Sequence, residues 1–305
     1  MKQDQGGVTQ AKQSKSRAGR ALKTVGIVLL SIVFALYVLF PVTMGLIASV
    51  RSAQKIEPPP DGFEALSLSA ADGTALACWY AAGENGASII LVHGAKSNLA
   101  SLTEHAAMLR EAGYGVLALT LRGHGGSGGR GNAFGWQCGQ DVAAAVDYLQ
   151  AQGVARIGAL GLSMGSEVLL GSAADQPAIA AIVADGASQR SLADYLTIPE
   201  NRSLWRSWTT RVMYASVCLF SGQTPPERTL LSSITDAKDT RFLFIAAENV
   251  EKEPQFGALY HDAVPERSAL WIVPNAGHTQ GLFVAREAYV SRVIAFFDES
   301  LLAAE

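Results

Sequence analysis

Charge is scarce in this chain: Asp, Glu, Lys and Arg make up 17% of 305 residues, against 49% hydrophobic ones. That balance excludes a solvated, disordered chain and leaves room for one catalytic-size domain with accessories. Cysteine is scarcer still. Cys78, Cys138 and Cys218 are odd in number, lie far apart and form no CxxC pair, which excludes a disulfide framework and a cysteine-held zinc site. Repeats are missing at periods of roughly 20–50 residues, so solenoids and propellers are excluded. The 30 glycines follow no Gly-X-Y period and form no collagen.

What charge there is lies unevenly. Residues 1–23 hold Lys2, Lys12, Lys15, Arg17, Arg20 and Lys23 against Asp4, a net of +5, which leaves −8 for the rest of a chain whose total is −3. An acidic body offers no footprint for nucleic acid, whereas a basic tail beside an apolar run suits an anionic membrane surface. That run is the 27 residues Thr24 to Val50, without a single charge. As a helix it reaches ~40 Å, enough for a hydrocarbon core of about 30 Å, with Pro41 as the expected kink. A cleaved signal peptide would carry a shorter apolar region and a small-x-small site. Here the Ala-rich stretch from Ala48 to Ala53 is interrupted by Arg51. The sequence therefore predicts an uncleaved single-pass anchor at 24–50. By the positive-inside rule the tail 1–23 stays cytoplasmic and everything after Arg51 lies on the far side.

Residues 51–62, RSAQKIEPPPDG, read as a semi-rigid extended linker. The soluble domain then runs from 63 to 305. FEALSLSA and TALACWYAA flank the turn residues Asp72 and Gly73 and predict a hairpin. After it come continuous apolar runs at 88–92, 115–121, 156–162, 179–185, 241–247 and 269–274, the pattern of strands buried on both faces. Helical stretches at Leu99 to Ala112 and Asp141 to Gln152 end at Gly113 and Gly153. Together these predict an α/β domain with an eight-stranded, mostly parallel sheet covered by helices on both faces. The alternation breaks once, between Asp185 and Arg241. The segment at about 187–238 carries Tyr195, Trp205, Trp208 and Phe220 without a buried-strand run, and reads as a helical cap over a cleft.

In an open parallel sheet ligands gather at the carboxyl ends of strands. The run RIGALGL is followed there by Gly161-Leu162-Ser163-Met164-Gly165 and a helix-compatible stretch. This is G-x-S-x-G in strand-turn-helix context, with Ser163 the candidate nucleophile. An acyl-transfer enzyme also needs two N–H donors converging on an oxyanion. Met164, next to the serine, and Ala95, in the loop Leu91-Val92-His93-Gly94-Ala95-Lys96, are the candidates, with His93 read as a loop brace. A base must be an imidazole. His105 and His261 fall in helical patterns and His124 in a glycine-crowded loop, whereas His278 follows the last strand in Pro274-Asn275-Ala276-Gly277-His278, where the order serine, acid, histidine puts it.

HG at 93–94, RGHGGS at 122–127, GLSMG at 161–165 and AGH at 276–278 together resemble the α/β-hydrolase superfamily, in particular its monoacylglycerol-lipase-like and serine-aminopeptidase-like branch. The resemblance spans roughly residues 63–303. It implies that an acid follows the strand RFLFIAA, in a loop that usually resembles G-x-x-D. Here the loop reads Ala247-Glu248-Asn249-Val250-Glu251-Lys252-Glu253, without aspartate. Glu251 is the expected acid, Glu248 the alternative, and Asp185, at the end of the preceding strand, a further one.

These residues predict a membrane-anchored serine hydrolase that cleaves carboxylic esters through an acyl-enzyme. Its partners would be a small-molecule ester or acyl substrate and the membrane, with no nucleic acid, and no metal or organic cofactor is expected. A serine exopeptidase, with the loop glutamates holding a substrate α-amine, and a non-catalytic binding module are the rival readings. The topology has a direct test: external protease on intact cells should digest the chain beyond Arg51, and complete protection would contradict the predicted orientation.

Overall fold

The computed structural model describes residues 6–55 and 57–303, with side chains from residue 19 onward. The basic positions Lys2, Lys12, Lys15 and Arg17 and the acidic Asp4 of the tail therefore lie outside the described side chains. Helix α1 (Gly6–Phe34) passes through a π turn (Ala35–Leu39) into α2 (Phe40–Ser49). Within it Gly19–Ser49 forms one stretch of 31 residues long and apolar enough to cross a membrane.

The domain begins with the hairpin β1 (Glu64–Ser69) and β2 (Ala75–Ala81), followed by β3 (Ala87–Val92), α3 (Thr103–Glu111), β4 (Gly115–Leu119), α4 (Gly139–Ala151), β5 (Arg156–Leu162), α5 (Met164–Ser172) and β6 (Ile179–Asp185). Next come α6 (Leu192–Tyr195), α7 (Leu204–Ser221), α8 (Leu230–Asp236), β7 (Arg241–Ala247), α9 (Glu253–Ala263), β8 (Ser268–Val273), α10 (Gly281–Val284) and α11 (Arg286–Phe297). The sheet order is β1-β2-β4-β3-β5-β6-β7-β8. β2 is antiparallel to β1 and β4, and the six strands β4, β3, β5, β6, β7 and β8 are joined by parallel pairings. β3 and β5 sit side by side in the middle and are buried along nearly their whole length. That is why their sequences read as unbroken apolar runs: Ile89 and Ile90 face opposite helix layers and both are fully buried. Each such side chain contributes about 1.5–3 kcal/mol of transfer free energy.

Two local features tie the N-terminal segment to the domain. First, residues from Arg51 are no free spacer. Ser52 lies alongside His124, with its N–H donating to Gly123 O at 2.8 Å and its carbonyl accepting from Gly125 N at 3.0 Å. Arg51 Nη2 donates to Gly125 O at 2.9 Å. The extended backbone satisfies its polar groups on the glycine-rich loop 122–129, whose own carbonyls would otherwise lack partners. Second, the apolar helix does not stand apart from the domain. α2 packs along α7, and Gly45 is buried there because a Cβ would sit 2.7 Å from Met213 O and from Ser216 Cβ. Pro41 has no N–H for the carbonyl of Tyr37, and the Trp208 indole nitrogen donates to that oxygen at 3.0 Å. Lys96 Nζ caps the end of α2 through Ile47 O at 2.6 Å.

The fit at Gly45 is tight on backbone atoms, which do not yield. Gly45→Leu should force α2 off α7 and cost about 1–3 kcal/mol, read as a lowered Tm of the detergent-solubilised full chain. Gly26→Leu in the same helix, where nothing lies within 4 Å of the Cβ position, should leave Tm unchanged.

Candidate active site

Ser163 joins β5 to α5 with φ 53° and ψ −121°. A side-chain-bearing residue held there stores about 1–3 kcal/mol of strain. The surroundings over-determine it. Ser163 N donates to Asp185 O at 2.8 Å, and Ser166 Oγ lies 2.6 Å from Gly161 O and 2.9 Å from Asp185 O. A Cβ on Gly161 would collide with Ser166 N, and one on Gly165 with Val92 O. The glycines of G-x-S-x-G are thus required by backbone packed on backbone, and the turn projects the hydroxyl beyond the sheet edge.

His278 lies in the loop after β8, and its Nε2 is 2.7 Å from Ser163 Oγ. Its Nδ1 is hydrogen-bonded to the carboxylate of Glu253. The sequence expectation for the acid needs correcting here: Glu251, Glu248 and Asp185 do not touch this imidazole. Glu251 is exposed. Glu248 Oε2 accepts from Asn275 N at 2.8 Å and so braces the histidine loop. Asp185 is buried and accepts from Tyr289 OH at 2.9 Å. The physical reason lies in the turn after β7. Glu248 N donates to Val273 O and Asn249 N to Ala276 O, which zips the loop onto the β8 loop. Lys252 is drawn away to Tyr195 OH at 2.9 Å. The chain then re-enters through the first turn of α9, where Glu253 is 2% exposed and its Oε2 accepts from Ala247 N at 2.8 Å. A signal was present in the sequence: Pro254 marks Glu253 as a helix start, where a carboxylate is favoured.

Of the oxyanion candidates, Met164 opens α5 directly after the serine. The loop carrying Ala95 lies against the same residue, since a Cβ on Gly94 would be 3.3 Å from Ser163 Cβ. His93 is fully buried; its Nε2 accepts from Leu121 N at 3.1 Å and its Nδ1–H donates to Gly94 O at 2.7 Å. Burial pushes its pKa down to about 3, so it braces the loop as a neutral ring. A cavity of about 370 Å³ holds Ser163 and His278, with Ser97, Ser101, His105 and Phe283 around them. A second, of about 130 Å³, lies on the other side of Ala95 and reaches Met164. A larger cavity, about 770 Å³ beside Trp136 and Arg190, contains neither Ser163 nor His278.

The hydrogen bond from Glu253 is the main reason the His278 pKa is raised above its ordinary 6.5; partial burial opposes it. Burial also pushes Asp185 up to about 7, helped by the nearby Glu253 charge and opposed by Tyr289. A hydroxyl facing an imidazole that is itself held by a carboxylate is able to shed its proton during attack on a carbonyl. By NMR titration His278 should ionise above 6.5. Glu253→Gln should lower that midpoint, and Glu251→Gln should leave it in place.

Residues 83–264 match the family described as serine aminopeptidase, S33. No curated protein matches the chain by sequence. Among solved structures, an esterase from Pyrococcus furiosus superposes with TM-score 0.64 at 22% identity, over 83% of this chain and 98% of that one. An esterase from Exiguobacterium antarcticum gives TM-score 0.58 at 14% identity, covering 77% and 100%. Proline iminopeptidase from Mycobacterium smegmatis gives 0.56 at 16% identity, covering 79% and 100%. At these identities the likeness is one of fold.

Proposed function

The chain belongs to the serine aminopeptidase S33 family of α/β hydrolases, and we propose that it is a membrane-anchored serine hydrolase acting on carboxylic esters through an acyl-enzyme. One observation carries this reading: Ser163, His278 and Glu253 form an unbroken hydroxyl, imidazole and carboxylate chain on a strained elbow. Ser163 Oγ attacks the carbonyl carbon while its proton passes to His278 Nε2. The N–H groups of Ala95 and Met164 hold the oxyanion. On collapse the imidazolium gives the proton to the leaving alcohol, and water then repeats the sequence to release the acid. Glu253 keeps the proton on Nδ1 and balances the imidazolium.

Ester over amide is favoured by what surrounds the serine. An exopeptidase must hold a substrate α-ammonium, yet among the described residues no carboxylate lines the 370 Å³ cavity. Of the loop glutamates, Glu253 is engaged by His278 and Glu248 by Asn275 N. The packing of α2 on α7 supports a retained helix over a cleaved signal, because removing it would uncover Val217 and Tyr214 beneath. The basic excess at the N-terminus supports a hydrolase domain on the extracytoplasmic side.

The test is fluorophosphonate labelling followed by p-nitrophenyl esters and aminoacyl-nitroanilides. Ser163→Ala should abolish labelling and lower kcat by about 10⁴–10⁶. Glu253→Gln should lower kcat by roughly 10⁴, with Glu251→Gln and Glu248→Gln far milder. The acid limb of kcat/KM should follow the raised His278 pKa, since only the neutral ring accepts the serine proton. In Glu253→Gln it should move to lower pH. Labelling that survives Ser163→Ala, or faster turnover of nitroanilides than of esters, would overturn the reading.

A further inference from the structure

The apolar helix ends at a cavity that it shares with Ala95 and with Met164, the residue next to Ser163. The 130 Å³ cavity is walled on one side by Met44, Ile47, Ala48 and Val50 of the N-terminal segment and on the other by Phe134, Ala95 and Met164. We propose that the last turns of this helix form the acyl pocket of the enzyme, so that its substrate is an ester of a hydrocarbon-chain acid taken directly from the bilayer. The proposal rests on the serine-esterase reading above.

Directions at the reacting carbon support it. In the tetrahedral intermediate the oxygen lies on the amides of Ala95 and Met164, and the leaving alcohol must face His278 Nε2, which protonates it. His278 lines the 370 Å³ cavity, where Ser97, Ser101 and His105 offer polar groups. The remaining substituent, the acyl chain, is left the side that Ala95 and Met164 share with the helix. The chemistry of that side suits it. Most of its polar atoms are turned to other partners: Lys96 Nζ to Ile47 O, His124 Nε2 to Lys96 N, and Asn132 Nδ2 to Arg122 O, while Asn132 Oδ1 is buried without one. Met44, Ile47, Ala48, Val50, Ala95, Phe134 and Met164 make the rest of the lining apolar.

The wall is held in place. Trp208 fixes Tyr37 O, Gly45 seats α2 on α7, and Ser52 is bonded to the loop around His124. Its depth in the membrane is also right. A 31-residue helix exceeds the hydrocarbon core, since about 20 residues suffice to span it. Counted from Val25 they end near Met44, which leaves the pocket residues at the boundary where lipid ester carbonyls lie. Met44, Ile47 and Val50 are 39%, 42% and 47% exposed, so the same side chains that line the cavity also face outward. A chain can therefore pass from bilayer to pocket without crossing water.

The test uses the full chain in nanodiscs and the ratio of kcat/KM for p-nitrophenyl octanoate over acetate. Ala48→Phe fills the cavity and should lower the ratio at least tenfold. Met44→Ala enlarges it and should raise the ratio of decanoate over octanoate. Leu46→Phe, on the same helix but outside the cavity, should leave both ratios within twofold. Fluorophosphonate labelling of Ser163 in each variant shows that the site is folded. An unchanged octanoate ratio in a labelled Ala48→Phe, or an equal fall in Leu46→Phe, overturns the pocket. Wild type that fails to label overturns the esterase reading itself, and the pocket with it.

Discussion

The geometry of the site depends on one close approach, between the turn that carries Ser163 and the end of β3. Gly165 lies where any side chain would strike Val92 O, and Gly161 where it would strike Ser166 N. Because β3 and β5 pair over six residues at the centre of the sheet, neither strand can move aside without unzipping the core. That rigidity sustains a serine at φ 53° and keeps its hydroxyl within 2.7 Å of an imidazole carried by a loop 115 residues away. The loop bearing Ala95 follows from β3 directly, so the same approach brings the second oxyanion candidate against the serine.

A second constraint is electrostatic. Glu253 and Asp185 are both buried, and burial in a region of low dielectric penalises a carboxylate's charged form unless partners offset it. Glu253 accepts from Ala247 N and from His278, which offsets the cost of burying its charge. Asp185 has only the Tyr289 hydroxyl, and its pKa rises to about 7. Asp185 also secures the elbow, through its backbone oxygen, which accepts from Ser163 N.

The N-terminal helix brings a third. A proline that lacks a donor, a tryptophan that supplies one, and a glycine that admits a neighbouring backbone turn an apolar segment into part of the domain surface. The exposed Leu204 and Trp205 continue that apolar face along α7, with the Trp205 ring tilted 33° against that of Tyr37 at 5.4 Å between ring centroids. An indole with one apolar edge and one polar nitrogen suits the membrane boundary.

Sequence alone determined the strands, because residues buried on both faces must be apolar throughout and the chain states this locally. The runs 156–162, 179–185 and 241–247 coincide with β5, β6 and β7 to the residue. It likewise singled out Ser163 and His278 as candidates, since a tight turn writes its glycines beside the serine and the last strand leaves one histidine after it. Only the tertiary structure put Glu253, rather than Glu251, Glu248 or Asp185, in hydrogen-bond contact with His278. Three glutamates within six residues differ in nothing but where a short turn aims them, and that aim is set by hydrogen bonds from Glu248 N and Asn249 N to a loop some 25 residues further on. The docking of the helix was hidden for the same reason. Gly45 reads as one more small residue in an apolar run until Met213 O stands 2.7 Å from where its side chain would be, because close contact between distant segments leaves no periodicity in either of them.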